Sequence, residues 1–261
     1  MILAIDIGNS NIVIGILEKQ RVLVEERLST NHSQTEVEYA IAIKNILDIS
    51  RIDPSRLEGG ILSSVVPPIS STVKKAAEKI LGKTILQVGP GLKTGLNLKV
   101  DNPAALGSDR VVDAVAAIYH YPAPLIIFDM GTATTISAID HEGSYLGGVI
   151  IPGVKVSLDS LTQNTSQLPK ISLEAPKATI CTNTVDSMKS GVIFGNASLI
   201  DGMIDRISDE LEGDVTVVAT GGLSRFIIPH CRHKIIYDGE LLLKGLSVLY
   251  QKNRRENAGF C

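Results

Sequence analysis

Two short stretches carry residue types suited to phosphate chemistry: Asp6-Ile7-Gly8-Asn9-Ser10-Asn11, and Asp129-Met130-Gly131-Thr132-Ala133-Thr134-Thr135. Each sets an aspartate, a glycine two residues on, and then small hydroxyl or amide side chains. Each is reached from an apolar run, Ile2 to Ile5 and Leu125 to Phe128. The glycine lets backbone come close to a ligand, and the amides and hydroxyls after it can hold phosphate. The aspartate can carry a cation or polarise a water. Taken alone, the first stretch is equally an ordinary strand-end turn, since Asp, Gly and Asn are turn formers. The second copy favours function and suggests two related halves gripping one nucleotide.

Other candidates are weaker one by one. Gly107-Ser108-Asp109-Arg110 precedes an apolar helical stretch containing Val111, Val112, Ala114 and Val115. Ser108 or Asp109 as a helix cap is the simpler reading. The functional reading makes Asp109 a proton acceptor and Arg110 an anion binder at the helix start. Asn183-Thr184-Val185-Asp186 resembles a helix N-cap whose amides can also bind a carboxylate. Thr220-Gly221-Gly222 is either a plain turn or a loop that lets a nucleotide's base or ribose approach. Ala77 to Thr84 fits a relaxed phosphate-loop pattern, but a working one follows a strand and opens a helix. Here the helix Val73 to Leu81 comes first and a strand, Thr84 to Val88, follows, so Gly82 is read as a helix C-cap. His230-Cys231-Arg232-His233 has no second ligand cluster and is read as a surface segment.

The elements that must position these residues follow from hydrophobic period. Ile2 to Ile5 is expected to be a buried strand, and Asn11 to Leu17 with Arg21 to Leu28 a hairpin turning at Glu18-Lys19-Gln20. Ser33 to Glu36 is expected to open a helix whose apolar stripe includes Val37, Ala40, Ile41 and Leu47. A strand (60 to 66), a helix after Pro67-Pro68 and a strand (84 to 88) complete the half. The opening then recurs, with strands at 125 to 129, 134 to 140 and 144 to 151. A long helix from about Thr184 to Leu211 carries Met188, Val192, Leu199, Met203, Ile204 and Ile207 at helical spacing. A strand (215 to 219) and a closing helix (238 to 250) end the chain. This internal similarity predicts duplicated α/β domains, with a boundary near residue 118, giving lobes 1–118 and 119–261.

Composition sets outer limits. The chain has 261 residues, 44% hydrophobic, with a mean hydropathy of +0.21, which predicts compact folding. Aromatics are 4% and the net charge is −3, which argues against stacking platforms or a basic footprint for nucleic acid. The basic run Lys252-Asn253-Arg254-Arg255 is most simply a solvated helix end. Cys181, Cys231 and Cys261 lack metal-like spacing and suit a reducing cytoplasm. No basic leader region precedes Asp6 and no apolar run reaches the roughly 20 residues that span a bilayer. The expectation is a cytoplasmic protein without membrane partners.

The ordered set of motifs resembles the type III pantothenate kinases, of the acetate and sugar kinase/actin superfamily. It comprises DIGNSN from Asp6, GLKTGL from Gly91, DNP from Asp101, GSDR from Gly107 and FDMGTATT from Phe128. It continues with YLGGVIIPG from Tyr145, QLP from Gln167, NTVDSMKSG from Asn183 and ATGG from Ala219. The resemblance implies two duplicated ribonuclease H-like (actin-like ATPase) domains flanking a nucleotide cleft. It implies ATP-dependent phosphorylation of pantothenate towards coenzyme A. ATP would lie on Asp6, Ile7, Gly8, Asn9, Ser10, Asn11, Ile12, Val13 and Thr132, with Mg²⁺ near Asp6. Asp129 would bind a monovalent cation, K⁺ or NH₄⁺. Gly107, Ser108, Asp109 and Arg110 would hold pantothenate, with Asp109 the proton acceptor. Thr184 would reach pantothenate from the neighbouring protomer of a homodimer with a shared active site. Three positions depart from the family pattern. Ser10 stands for threonine and Ser108 for alanine, both mild changes. Val100 stands where many members have a substrate-contacting tyrosine, which predicts weaker pantothenate affinity.

Overall fold

The structure, a computed structural model, describes residues 1–257, with side chains to Arg254. Cys261 and the side chain of Arg255 lie outside the described residues. The strands are β1 (Ile2–Ile7), β2 (Asn11–Glu18), β3 (Arg21–Ser29), β4 (Gly60–Ser64), β5 (Ile85–Gln87), β6 (Asn97–Leu98), β7 (Leu125–Met130), β8 (Ala133–Ile139), β9 (Ser144–Pro152), β10 (Thr216–Thr220) and β11 (Ile236–Tyr237). The helices are α1 (Glu36–Ile49), α2 (Pro67–Leu81), α3 (Ser108–His120), α4 (Val154–Gln163), α5 (Thr184–Leu211), α6 (Ser224–Ile227) and α7 (Leu241–Asn257).

Contacts divide the chain into two compact units. Unit 1 is Met1–Leu96, Asp101–Tyr119 and the chain from Glu240 onward; unit 2 is Asn97–Val100 and His120–Gly239. The chain crosses between the units at Leu96–Asn97, Val100–Asp101, Tyr119–His120 and Gly239–Glu240. Helix α7 belongs to unit 1 because Leu243, Leu246, Leu249 and Tyr250 pack with Ile2, Ala4 and Val112. The two-residue strand β6 joins unit 2 because it pairs with β9.

Unit 1 holds a sheet of order β3-β2-β1-β4-β5. β1 pairs antiparallel with β2 and parallel with β4. β1 is covered on both faces, which explains its unbroken apolar run. Leu3, Ile5 and Ile7 face the core under α1 and α2, while Ile2 and Ala4 face the one under α3 and α7. Helix α1 is capped two residues later than expected, at Thr35 and not Ser33. Thr35 is the N-cap and accepts from the Glu38 amide, while the Glu38 carboxylate accepts from the Thr35 amide. Its buried side is Tyr39, Ala40, Ile43, Ile46 and Leu47. Val37 and Ile41, expected in the stripe, are exposed at 54% each, because Tyr39 and Ile43 fill those places on the core side. Helix α2 ends at Gly82, whose φ of 63° and N–H to Glu78 carbonyl bond make it a left-handed C-cap, as expected.

Unit 2 holds a sheet of order β11-β10-β7-β8-β9-β6. Read from β9 to β11 it repeats unit 1 strand for strand, with β6 added at the edge. The duplication extends to register: Asp6 lies beside Val13 and Ser63, and Asp129 beside Thr135 and Thr220. Helix α5, 28 residues capped by the Asn183 side chain, packs Ile193, Ala197, Ile200 and Ile204 over Ile126, Phe128 and Met130 of β7. Leu199, expected on that stripe, is instead 39% exposed. Helix α4 had no counterpart in the sequence reading.

Candidate active site

The first acidic strand end is a tight hairpin tip. Asp6, near the end of β1, is half-buried, and Asn9, Ser10 and Asn11 are exposed. The Gly8 N–H donates to the Asn11 carbonyl at 3.0 Å. Thr30, just past β3, grips the tip from the side: its hydroxyl donates to the Gly8 carbonyl at 2.6 Å and its N–H to the Ser10 carbonyl at 3.1 Å. Ile7 and Ile12 are fully buried, so neither side chain is open to a ligand. Val13 is half-buried on the neighbouring strand. Nothing in the local sequence marked Thr30, an unremarkable strand-end threonine.

The same unit carries the Gly107–Arg110 turn, joined to the first site through β4. Ser63 is the register neighbour of Asp6, and its hydroxyl lies 3.0 Å from that of Ser108. The Ser108 hydroxyl also donates to the Ser64 carbonyl at 2.9 Å and accepts from the Ser64 amide at 3.2 Å. Ser108 therefore does not cap α3 but fastens its first turn to β4. The Asp109 carboxylate accepts from the Arg110 amide at 2.8 Å. A β-carbon at Gly107 would fall 2.5 Å from Asp109 Oδ1 and would push the carboxylate aside. Asp6, Ser63, Ser108 and Asp109 thus share one end of the unit 1 sheet.

In unit 2 the second acidic strand end is packed by two glycines. Asp129 is half-buried and Thr132 exposed. The Gly131 N–H donates to the Ala133 carbonyl and the Gly153 N–H to the Thr132 carbonyl, each at 3.1 Å. Gly153 presses so closely on Gly131 and Thr132 that a β-carbon would overlap both carbonyls. From the β10 side, Gly221 has φ +88°, and a β-carbon there would lie 2.7 Å from the Met130 N, C and O. The close approach at Gly221 is thus by the protein's own β7 end. A β-carbon at Gly131 would make ordinary contact with the Ala133 carbonyl at 3.5 Å and with Asp129 Oδ1 at 3.9 Å.

Val100 and Thr184 lie elsewhere in unit 2. Val100 follows β6, which is anchored by the Lys99 N–H to Tyr145 carbonyl bond at 2.8 Å and by Lys99 Nζ to Asp140 at 2.8 Å. The hydrogen bond to Asp140 holds the Lys99 ammonium above its ordinary pKa. Burial pushes Asp140 upward, but Lys99 and the amides of Ser144 and Glu142 outweigh it and leave its pKa lowered. Thr184, in the first turn of α5, is exposed and lines a groove of about 730 Å³ with Val154, Leu158, Leu161, Met188 and Val192. The 230–233 segment is spent on packing. His230 sits edge-on to Phe194 and His233 pairs with Asp205 at 2.8 Å. Among the described residues no cluster of three or more His, Cys, Asp or Glu gathers.

Duplicated sheets of this order, each with an aspartate at the same register position, define the fold class of the actin-like ATPases and sugar kinases. The 2-hydroxyisocaproyl-CoA dehydratase activator of Clostridium difficile, solved with bound ADPNP, shares the fold. Its TM-score is 0.56 at 12% identity, covering 100% of this chain and 98% of that one. A Baf family transcriptional activator from Campylobacter jejuni gives a TM-score of 0.59 at 21% identity, over 97% of this chain and 100% of that one. A sequence profile described as type III pantothenate kinase matches residues 2–206. A type III pantothenate kinase of Halalkalibacterium halodurans is 41% identical over 253 residues, 97% of this chain and 100% of the relative. The chain belongs to the type III pantothenate kinase family.

Proposed function

We propose that the Asp6 strand end and the Gly107–Arg110 turn of unit 1 serve one phosphoryl transfer. The reaction is that of the family: ATP phosphorylates pantothenate, the first step of coenzyme A biosynthesis. In phosphoryl transfer the transition state is loose, so the protein mainly positions groups and balances charge. The Gly8 to Asn11 tip and Thr132 hold the ATP phosphates. Asp109 orients the pantothenate hydroxyl and takes its proton, and Arg110 fixes the substrate. Val100 stands at the pantothenate pocket without the phenol of a tyrosine. The observation that carries this reading is the Ser63–Ser108 contact, which ties the strand of Asp6 to the turn of Asp109.

The residues present also suit the cations. The Asp6 carboxylate is a hard oxygen donor of the kind Mg²⁺ takes alongside substrate phosphates. The Asp129 carboxylate, half-buried at the end of β7, is an oxygen donor that suits K⁺ or NH₄⁺. Both ions, when bound, offset phosphate charge. We place the protein in the cytoplasm, where its free Cys181 and Cys231 stay reduced. No helix among the described residues is long and apolar enough to cross a membrane.

We assign a homodimer, with Thr184 completing the partner's pantothenate site. Exposed Val185 and Leu199, and open space beside Gly191, Gly195 and Gly202 on α5, support that surface. Purified protein should release ADP from Mg-ATP only when pantothenate is added, and faster with K⁺ than with Na⁺. Equal rates without pantothenate would leave an ATPase instead. Mixing Asp109→Asn with Thr184→Ala protein should restore activity through mixed dimers. No recovery on mixing, with subunit exchange verified, would remove the shared site.

A further inference from the structure

We propose that Thr30, backed by Tyr39, is a positioning residue that aims the phosphate-holding tip; this rests on the reading of Asp6–Asn11 as that tip. Thr30 makes two bonds to the tip, to the Gly8 and Ser10 carbonyls. The Gly8–Asn9 peptide is trans, since the cis bond found among the described residues is Ala123–Pro124. In a trans peptide the carbonyl and the next N–H point in opposite directions. Holding the Gly8 carbonyl towards Thr30 therefore sends the N–H of exposed Asn9 away from β3, towards incoming phosphate.

Thr30 is itself held from the core. The Tyr39 phenol donates to the Asn31 carbonyl at 2.7 Å and accepts from the Asn31 amide at 3.3 Å. Tyr39 is fully buried on α1. A continuous path thus runs from the packed helix through Asn31 and Thr30 to the tip. Exposed hairpin tips otherwise have little to fix the tilt of their peptide planes. A tip that must meet phosphate gains from being set before the ligand arrives, because ordering it on binding would cost affinity.

Thr30→Val keeps the β-branched shape and removes only the hydroxyl. The loss of one hydrogen bond, about 0.5–1.5 kcal/mol, translates into a roughly twofold to tenfold rise in the nucleotide dissociation constant. The KM for ATP should rise by the same factor while that for pantothenate stays put, and Thr30→Ser should restore both. Binding is read with a fluorescent ATP analogue and melting temperature is followed in parallel. Wild-type nucleotide affinity in a folded Thr30→Val protein, or equal losses for both substrates, overturns the inference. If Thr30→Val does not fold, Tyr39→Phe decides, with weakened nucleotide binding supporting the path and unchanged binding refuting it. Wild type that binds nucleotide but ignores pantothenate would sink the proposed function; weaker nucleotide binding by Thr30→Val would then still support Thr30.

Discussion

Gly221→Ala tests the packing beneath Asp129. The backbone at Gly221, with φ +88°, is unfavourable for an L side chain by about 1–2 kcal/mol. The added carbon would stand 2.7 Å from three backbone atoms of Met130, and backbone cannot rotate aside as a side chain can. Overpacking of that kind costs about 1–3 kcal/mol, so the sum is roughly 2–5 kcal/mol. At roughly 3 °C per kcal/mol for a chain of this size, the melting temperature should fall by about 6–15 °C. Relief requires Met130 to move, and Met130 sits between Asp129 and Gly131. A displacement near 1 Å can cost on the order of 100-fold in rate. Gly82→Ala is the control, since its φ is +63° but no atom lies within 4 Å of the new carbon. It should lose only the conformational part and keep its activity. Thermal melts and pantothenate-dependent ADP release are measured on both. A Gly221→Ala protein no less stable and no less active than Gly82→Ala would refute the reasoning.

Three further outcomes follow from the same contacts. Asp140 has a lowered folded pKa, so its stabilising contribution is present above the ordinary carboxylate pKa and is lost as pH falls through the folded value. Asp140→Asn should cost about 1 kcal/mol near neutrality, with the gap closing in acid below about pH 4 in pH-dependent melts. Burial, and then Asp201, push the Cys231 thiol up to about 12; mass spectrometry after iodoacetamide at pH 8 should find it unmodified until the protein is unfolded. Ser108→Ala removes the hydroxyl that serves Ser64 and Ser63 and should lower stability by about 1–2 kcal/mol. An unchanged melt would show that this fastening is idle.

The duplication was legible because each half announces itself with an apolar strand running into Asp-x-Gly, and strand burial on both faces leaves a continuous apolar run. Gly82 was legible because the order helix–glycine–strand settles its role locally. Thr30 was not, since its partners are the carbonyls of Gly8 and Ser10, some twenty residues away and invisible to any local pattern. Local sequence offers only Ser108 or Asp109 as a helix cap, because capping is a local bond, whereas the partners of Ser108 lie on β4 and come together only on folding. The place of α7 escaped for a related reason: an apolar helical stripe says that it must be buried, not against which sheet. Gly221 was noticed as a loop glycine, but its contact with the Met130 backbone was not legible, since Met130 comes beside it only on folding.

The central claim is that Asp109 activates pantothenate for attack on ATP, and product analysis of the Asp109→Asn variant tests it most directly. Wild type incubated with Mg-ATP, K⁺ and pantothenate should yield 4′-phosphopantothenate by mass spectrometry, in step with ADP. Loss of a general base predicts a fall of about 10²–10⁴ in kcat for the variant, with ATP binding retained. A variant that makes the product at the wild-type rate would contradict the account.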